Sequence, residues 1–280
     1  MATSADERRT LTSVPGTLVL VGAGKMGGAM LDGWLRLGLD PKQVVVLDPQ
    51  PTNEVAGLAA RGLRLNPGME TVRDAAVIVL AVKPQAASDA VPALASLVGS
   101  QTVVVSIMAG RTLAFLEKAL PDAAIVRAMP NTPAAIGRGI TVAVGNGRVS
   151  QAARDLAQAL LAATGEVEWV EDEALMDAVT AVSGSGPAYV FLLAEALAQA
   201  GAAAGLPTEL AERLARATVA GSGELLHRSL LPPATLRANV TSPGGTTAAA
   251  LDVLMAKDGL DPLMIRAIAA ATNRSRDLAG

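Results

Sequence analysis

Through its first half the chain alternates short apolar runs with segments of helical periodicity, and a chain patterned this way can bury itself in few ways. Thr17–Gly22, Gln43–Asp48, Val77–Val82, Thr102–Ser106 and Ala124–Ala128 are β-rich runs of strand length. Between them, Met26–Leu37, Glu54–Ala60, Gln85–Leu97 and Leu113–Leu120 carry helical spacing. Strands apolar on both sides need cover on both faces, which points to a parallel sheet between helical layers. Two later strands, Thr141–Val144 and Glu166–Val170, flank a helix near Gln151–Ala163.

After about Asp172 the strand signals stop. Glu173–Val182, Ala188–Gly205, Thr208–Ser229, Pro233–Ala238, Thr246–Met255 and Pro262–Leu278 all read as helices. Ala188–Gly205 is apolar on nearly every side, more than a small helical domain can bury within itself. It is expected to pack against a second subunit; the alternative is the central helix of a bundle within one chain. As a membrane span it is short, and Glu195 and Gln199 interrupt it. Met1–Thr10 is polar and charged, with no apolar run before a cleavage-like site. The expected organisation is a flexible extension over 1–15, a sheet domain over 16–172 and a helical domain over 173–280.

Composition removes several chemistries. A net charge of −3 and 2% aromatics provide neither a basic patch nor a base-stacking platform, so nucleic acid is not an expected partner. The chain has no cysteine and a single histidine, His227, which leaves no disulfide, thiolate nucleophile or zinc–sulfur site and no expected metal centre. A cytoplasmic location fits the absence of cysteine without being fixed by it.

The first strand runs into Gly22-Ala23-Gly24-Lys25-Met26-Gly27, a G-x-G-x-x-G turn. Gly22 permits the tight turn, Gly24 lets backbone approach a pyrophosphate, and Gly27 lets helix and strand pack closely. Amides at the next helix start then face the phosphates. With a strand before, an amphipathic helix after and a second strand ending in Asp48, the context is that of a Rossmann-like dinucleotide site. The fold class is therefore α/β: a doubly wound, mainly parallel sheet followed by an all-α domain. Asp48 at that strand end suits the ribose hydroxyls of NADH and opposes the 2′-phosphate of NADPH. Alternatively, it only caps the strand and the loop takes either cofactor.

Two further strand ends belong to the same edge. Ala81-Val82-Lys83-Pro84 lies where ligands bind in open α/β sheets, with Lys83 turned either to the cofactor or to solvent. Met108, Ala109 and Gly110 are small or flexible enough for a nicotinamide to lie against backbone. Arg127 and Arg138 could pair with phosphate, although surface solvation is the plainer fate. In the helical half, Val240-Thr241-Ser242-Pro243-Gly244-Gly245-Thr246-Thr247 combines a tight loop with a helix start. Such a start offers free amides and hydroxyls to a small carboxylate, unless Ser242 or Thr246 simply caps the helix. Ser183-Gly184-Ser185-Gly186-Pro187 breaks one helix and starts the next.

Taken together, the glycine loop, Ala81–Pro84, Met129-Pro130-Asn131-Thr132-Pro133, Asp177–Thr180 with Ser183–Tyr189, and Val240–Thr247 resemble the pyrroline-5-carboxylate reductases over Leu18–Leu278. The resemblance implies reduction of 1-pyrroline-5-carboxylate to L-proline by NADPH or NADH, the final step of proline biosynthesis. It also implies a homodimer interlocked through the helical domain, with the active site at the dimer interface; further assembly of dimers stays open. Ser242, Gly244, Gly245, Thr246 and Thr247 would hold the substrate carboxylate, with Thr247 near the ring nitrogen as the catalytic hydroxyl and Glu173 and Asn239 close to the substrate. Many relatives carry a neutral or basic segment where this chain has Asp48-Pro49, which puts a strict NADPH preference in doubt.

A protonated imine is already electrophilic, so orientation supplies most of the catalysis and the cofactor supplies the hydride. A 3-hydroxyacid dehydrogenase of similar architecture would need a general base, often lysine. No lysine lies between Lys118 and Lys257. A non-catalytic dinucleotide sensor or vitamin-B6-binding protein would have no use for the Ser242–Thr247 loop.

Overall fold

The apolar runs of the first half pair into one sheet. The computed structural model describes residues 10–279. Its strands are β1 (Thr17–Val21), β2 (Val44–Leu47), β3 (Arg64–Leu65), β4 (Ala75–Leu80), β5 (Val103–Ser106), β6 (Ala124–Met129), β7 (Gly139–Gly145) and β8 (Gly165–Trp169). They lie in the order β3-β2-β1-β4-β5-β6-β7-β8. Every neighbouring pair is parallel except β6 and β7. Period-2 alternation splits each buried strand between two cores: Leu18 and Leu20 face one, Val19 and Val21 the other. Both faces are dry, which is why the sequence shows runs of valine and leucine rather than polar alternation.

The helices that accompany the sheet are α1 (Lys25–Arg36), α2 (Asn53–Gly57), α3 (Ala87–Ala93), α4 (Leu113–Ala119), α5 (Gln151–Leu161) and α6 (Met176–Val179). On α1, Trp34 is fully buried and its indole N–H donates to the carbonyl of Leu160 at 2.9 Å, tying α1 to α5. Gly33 permits that closeness, because a Cβ there would lie 2.8 Å from the Ala163 carbonyl oxygen. The remaining helices are α7 (Gly186–Ala203), α8 (Thr208–Arg228), α9 (Pro233–Asn239), α10 (Thr246–Leu254) and α11 (Leu260–Ala279).

Residues up to Gly184, together with those from Thr272 onward, form one compact unit, and Ser185–Ala271 form a second. The first compact unit thus extends past the 172/173 boundary expected from the sequence to Gly184, because Met176 and Ala181 are fully buried in it and Met176 joins its core. Within the second unit α7 and α8 pack on each other, with Gly201 against Ala211. No residue of α7 is buried, and Phe191, Leu192 and Leu193 are all more than half exposed. A central bundle helix within one chain is therefore excluded.

Four local expectations need correction. The extension expected over 1–15 does not hold for its described part: Leu11 and Val14 are buried in the core, and the Leu11 N–H donates to the Leu37 carbonyl. Residues 1–9 lie outside the described residues. The helix expected over Gln85–Leu97 is shorter, with 3₁₀ turns at Pro84–Ala86 and Ala95–Leu97 on either side of α3, and Pro92 near the end of α3 lacks an N–H for a regular helix bond. The two-residue edge strand β3 escaped notice because a pair of residues carries no periodicity. Finally, the helix break expected around Ser183 is a π-helical turn, Thr180–Gly184, leading into α7.

Candidate active site

The chain leaves β1 toward β2 on one side of the sheet and β4 lies on the other, so β1 and β4 flank a topological switch point where open α/β sheets bind ligands. The glycine loop sits there. Gly22 has φ +89°, its N–H donates to the Leu47 carbonyl at 2.9 Å, and a Cβ would lie 2.8 Å from the Ala81 carbonyl oxygen. A Cβ on Gly27 would collide with the carbonyl oxygen of Gly22. Gly24 differs: nothing lies within 4 Å of where its Cβ would be. Outer glycines serve packing, while the middle one faces open space. Gly24 is also the N-cap of α1, which has no side-chain cap and no acid in its first turn. An uncapped helix start above an open glycine fits a pyrophosphate.

Asp48, just beyond β2, is 9% exposed and firmly held. Its Oδ2 accepts from the Ala23 N–H at 2.6 Å and its Oδ1 from the Gln50 N–H at 2.8 Å. Asn66 locks the backbone beneath it: the Asp48 N–H donates to Asn66 Oδ1 and the Asn66 amide returns a bond to the Asp48 carbonyl, both at 2.8 Å. Asn66 adopts φ +47°, a conformation asparagine tolerates better than most residues. Sequence reasoning missed it; Asn66-Pro67-Gly68 signals a turn but not this pairing.

The other expected cofactor segments reach the same sheet edge. Ala81 donates to the Val21 carbonyl at 2.8 Å and Ile107 to the Leu80 carbonyl at 3.0 Å, so both strand ends continue the sheet to its rim. Lys25, Lys83 and Ala109 are exposed, and Met26, Val82, Pro84 and Gly110 are half-buried. The Met108 side chain is 2% exposed and part of the core, which leaves its backbone as the part at the rim. Arg111 was not foreseen. Its guanidinium donates to the Pro84 carbonyl from Nε at 3.1 Å and Nη2 at 2.7 Å, bracing one rim loop against the other.

Arg127 departs most from expectation. Arg127 is 5% exposed rather than solvated, because its guanidinium meets Glu173 Oε1 at 2.7 Å. The same oxygen accepts the Leu113 N–H at 2.8 Å, at the start of α4. Glu173 thus braces the first unit through two contacts. Nearby, Asn131 Oδ1 accepts the Ile140 N–H at 3.0 Å and its amide donates to Ser183 Oγ at 3.3 Å.

In the second unit, the Ser242–Thr247 loop forms the tight turn its sequence implies. Gly244 has φ +68°, and the Gly245 N–H donates to the Ser242 carbonyl at 3.0 Å. The N-cap of α10 is Gly245, with no side-chain cap bond, so neither Ser242 nor Thr246 plays the capping role. Thr247 is half-buried in the first turn, while Asn239 is exposed at the end of α9. The first amides of α10 have no side-chain cap, which leaves them suited to an anion. Among the described residues no cluster of metal-ligating side chains occurs.

Comparison with known proteins points to one family. Residues 173–278 match the family model for pyrroline-5-carboxylate reductase dimerisation, and residues 17–110 match that for NADP oxidoreductase, coenzyme F420-dependent. A pyrroline-5-carboxylate reductase of Pseudomonas aeruginosa is 41% identical over 94% of this chain and 96% of its own length. The solved pyrroline-5-carboxylate reductase of Coxiella burnetii superposes with a TM-score of 0.88 at 34% identity, covering 95% of this chain and all of that one. The Plasmodium falciparum pyrroline carboxylate reductase, solved with NADP bound, gives 0.79 at 30% identity over 95% of this chain and 99% of that one.

Proposed function

Because this chain belongs to the pyrroline-5-carboxylate reductase family, we propose how its own residues divide the reduction of 1-pyrroline-5-carboxylate to L-proline by NAD(P)H. The glycine loop and the uncapped start of α1 would hold the pyrophosphate, and residues of the rims after β4 and β5 would hold the remainder of the cofactor. When bound, the cofactor supplies the hydride that adds to the imine carbon. The amides of Gly245–Thr247 and the hydroxyls of Ser242 and Thr246 hold the substrate carboxylate. Thr247 Oγ bonds the ring nitrogen, orienting the C=N bond without acting as a strong acid.

The observation that carries this assignment is the start of α10, nine residues long and uncapped by any side chain behind a glycine at positive φ. Asn239, exposed at the end of α9, lies close to the substrate in this reading. The exposed apolar surface of α7 suits a second copy of the chain, in keeping with the dimerisation model matched over this region. The helix spanning Glu173–Ala203 is also long and apolar enough to cross a membrane. Pairing between copies accounts for that surface without one, and the protein is read as a cytoplasmic homodimer. The decisive assay follows loss of nicotinamide absorbance with 1-pyrroline-5-carboxylate, with proline identified as product. A folded protein that binds dinucleotide yet reduces no imine would overturn the reading.

A further inference from the structure

We infer that this enzyme selects NADH over NADPH, and that Asp48 makes the selection because it is pinned in place. The inference rests on the cofactor site described above and deepens it. An acid at the end of the second strand of such a sheet meets the adenine ribose. An exposed acid there could swing aside to admit a 2′-phosphate, but Asp48 is only 9% exposed and each carboxylate oxygen already accepts a backbone N–H, from Ala23 and from Gln50. Asn66 fixes its main chain on both sides.

A carboxylate offers about four acceptor sites. Two are taken, and the remaining pair matches the two ribose hydroxyls as donors. A 2′-phosphate offers no donor in its ionised form and brings like charge against an immobile carboxylate. Cations that would offset it are absent from the adjoining segment, since none occurs between Asp48 and Arg61. Arg64, farther on, is committed to Thr17 Oγ1 and the Thr71 carbonyl. Lys25 lies on the first turn of α1, at the pyrophosphate rather than the ribose.

The test measures dissociation constants for NADH and NADPH by nicotinamide fluorescence on the intact protein, alongside kcat/KM for imine reduction with each. NADH should bind about tenfold tighter or better, and Asp48→Asn should bring the ratio close to one. Competition by ADP against adenosine 2′,5′-diphosphate on the unaltered enzyme gives a second measure, independent of whether the variant folds; ADP should win. Tighter or equal binding of NADPH, an unchanged ratio in a folded Asp48→Asn, or preference for the 2′-phosphorylated competitor would each overturn the inference. Failure to reduce the imine with either cofactor would instead strike the functional reading and leave the binding ratio to be judged by itself.

Discussion

Nη1 of Arg127 lies 2.7 Å from Oε1 of Glu173, and that oxygen also takes the N–H of Leu113. One carboxylate therefore compensates a buried guanidinium on β6 and an orphan amide at the start of α4. Removing it as Glu173→Ala strands the charge on Arg127. A fully buried pair broken this way costs about 3–5 kcal/mol; since the Glu173 side chain is 27% exposed, about 2–3 kcal/mol is expected here. Thermal melting should show a loss of several degrees with the substrate KM little changed. A raised KM at unchanged melting temperature would place Glu173 against the substrate instead.

Gly24 and Gly27 should separate folding from binding. Gly24→Ala meets open space at an ordinary φ of −69°, so stability should stay within about 0.5 kcal/mol while cofactor affinity falls about tenfold or more. Gly27→Ala drives a methyl into the Gly22 carbonyl and should cost about 2–3 kcal/mol or more, with binding lost as a consequence. Paired calorimetric melting and dinucleotide titration distinguish the two; equal destabilisation by both would show that Gly24 is packed.

Thr247→Ala removes the hydroxyl assigned to the ring nitrogen but leaves the α10 amides in place. Turnover should drop about 10²-fold, with the fold and NADH binding intact. Unchanged turnover would take Thr247 out of the active site. Thr247→Ser, which keeps the hydroxyl, should recover most of the loss.

Introducing charge on α7 tests the second copy. Phe191→Glu or Leu193→Glu places a carboxylate on an apolar surface that one chain leaves open, with Phe191 61% and Leu193 56% exposed. Light scattering after size exclusion should report a monomer where the parent protein is a dimer. Persistence of the dimer with both substitutions would require a different interface.

Sheet, helices and the turn of the glycine loop were legible because they follow from local pattern: strand runs such as Val44–Leu47 are apolar on both sides, and glycine spacing is tied to backbone geometry. The Ser242–Thr247 turn was legible for the same reason. Arg127 was misread as solvated because its partner Glu173 is 46 residues away and nothing local marks the pair. Asn66 and Arg111 were missed likewise, since each acts through a backbone group of another loop. Antiparallel β7 could not be told from a parallel strand, because burial on both faces gives both the same composition.

Ser275 on α11 donates to Asp177 Oδ1 at 2.7 Å, and residues from Thr272 onward belong to the first compact unit although the second intervenes. The order of synthesis is thereby decoupled from the order of completion. The dinucleotide-binding unit emerges from the ribosome first, yet it acquires its last contacts only when the final turns of α11 follow. A nascent chain stalled before Thr272 holds an unfinished unit, exposed to proteolysis at a stage when most of its sequence has already been made.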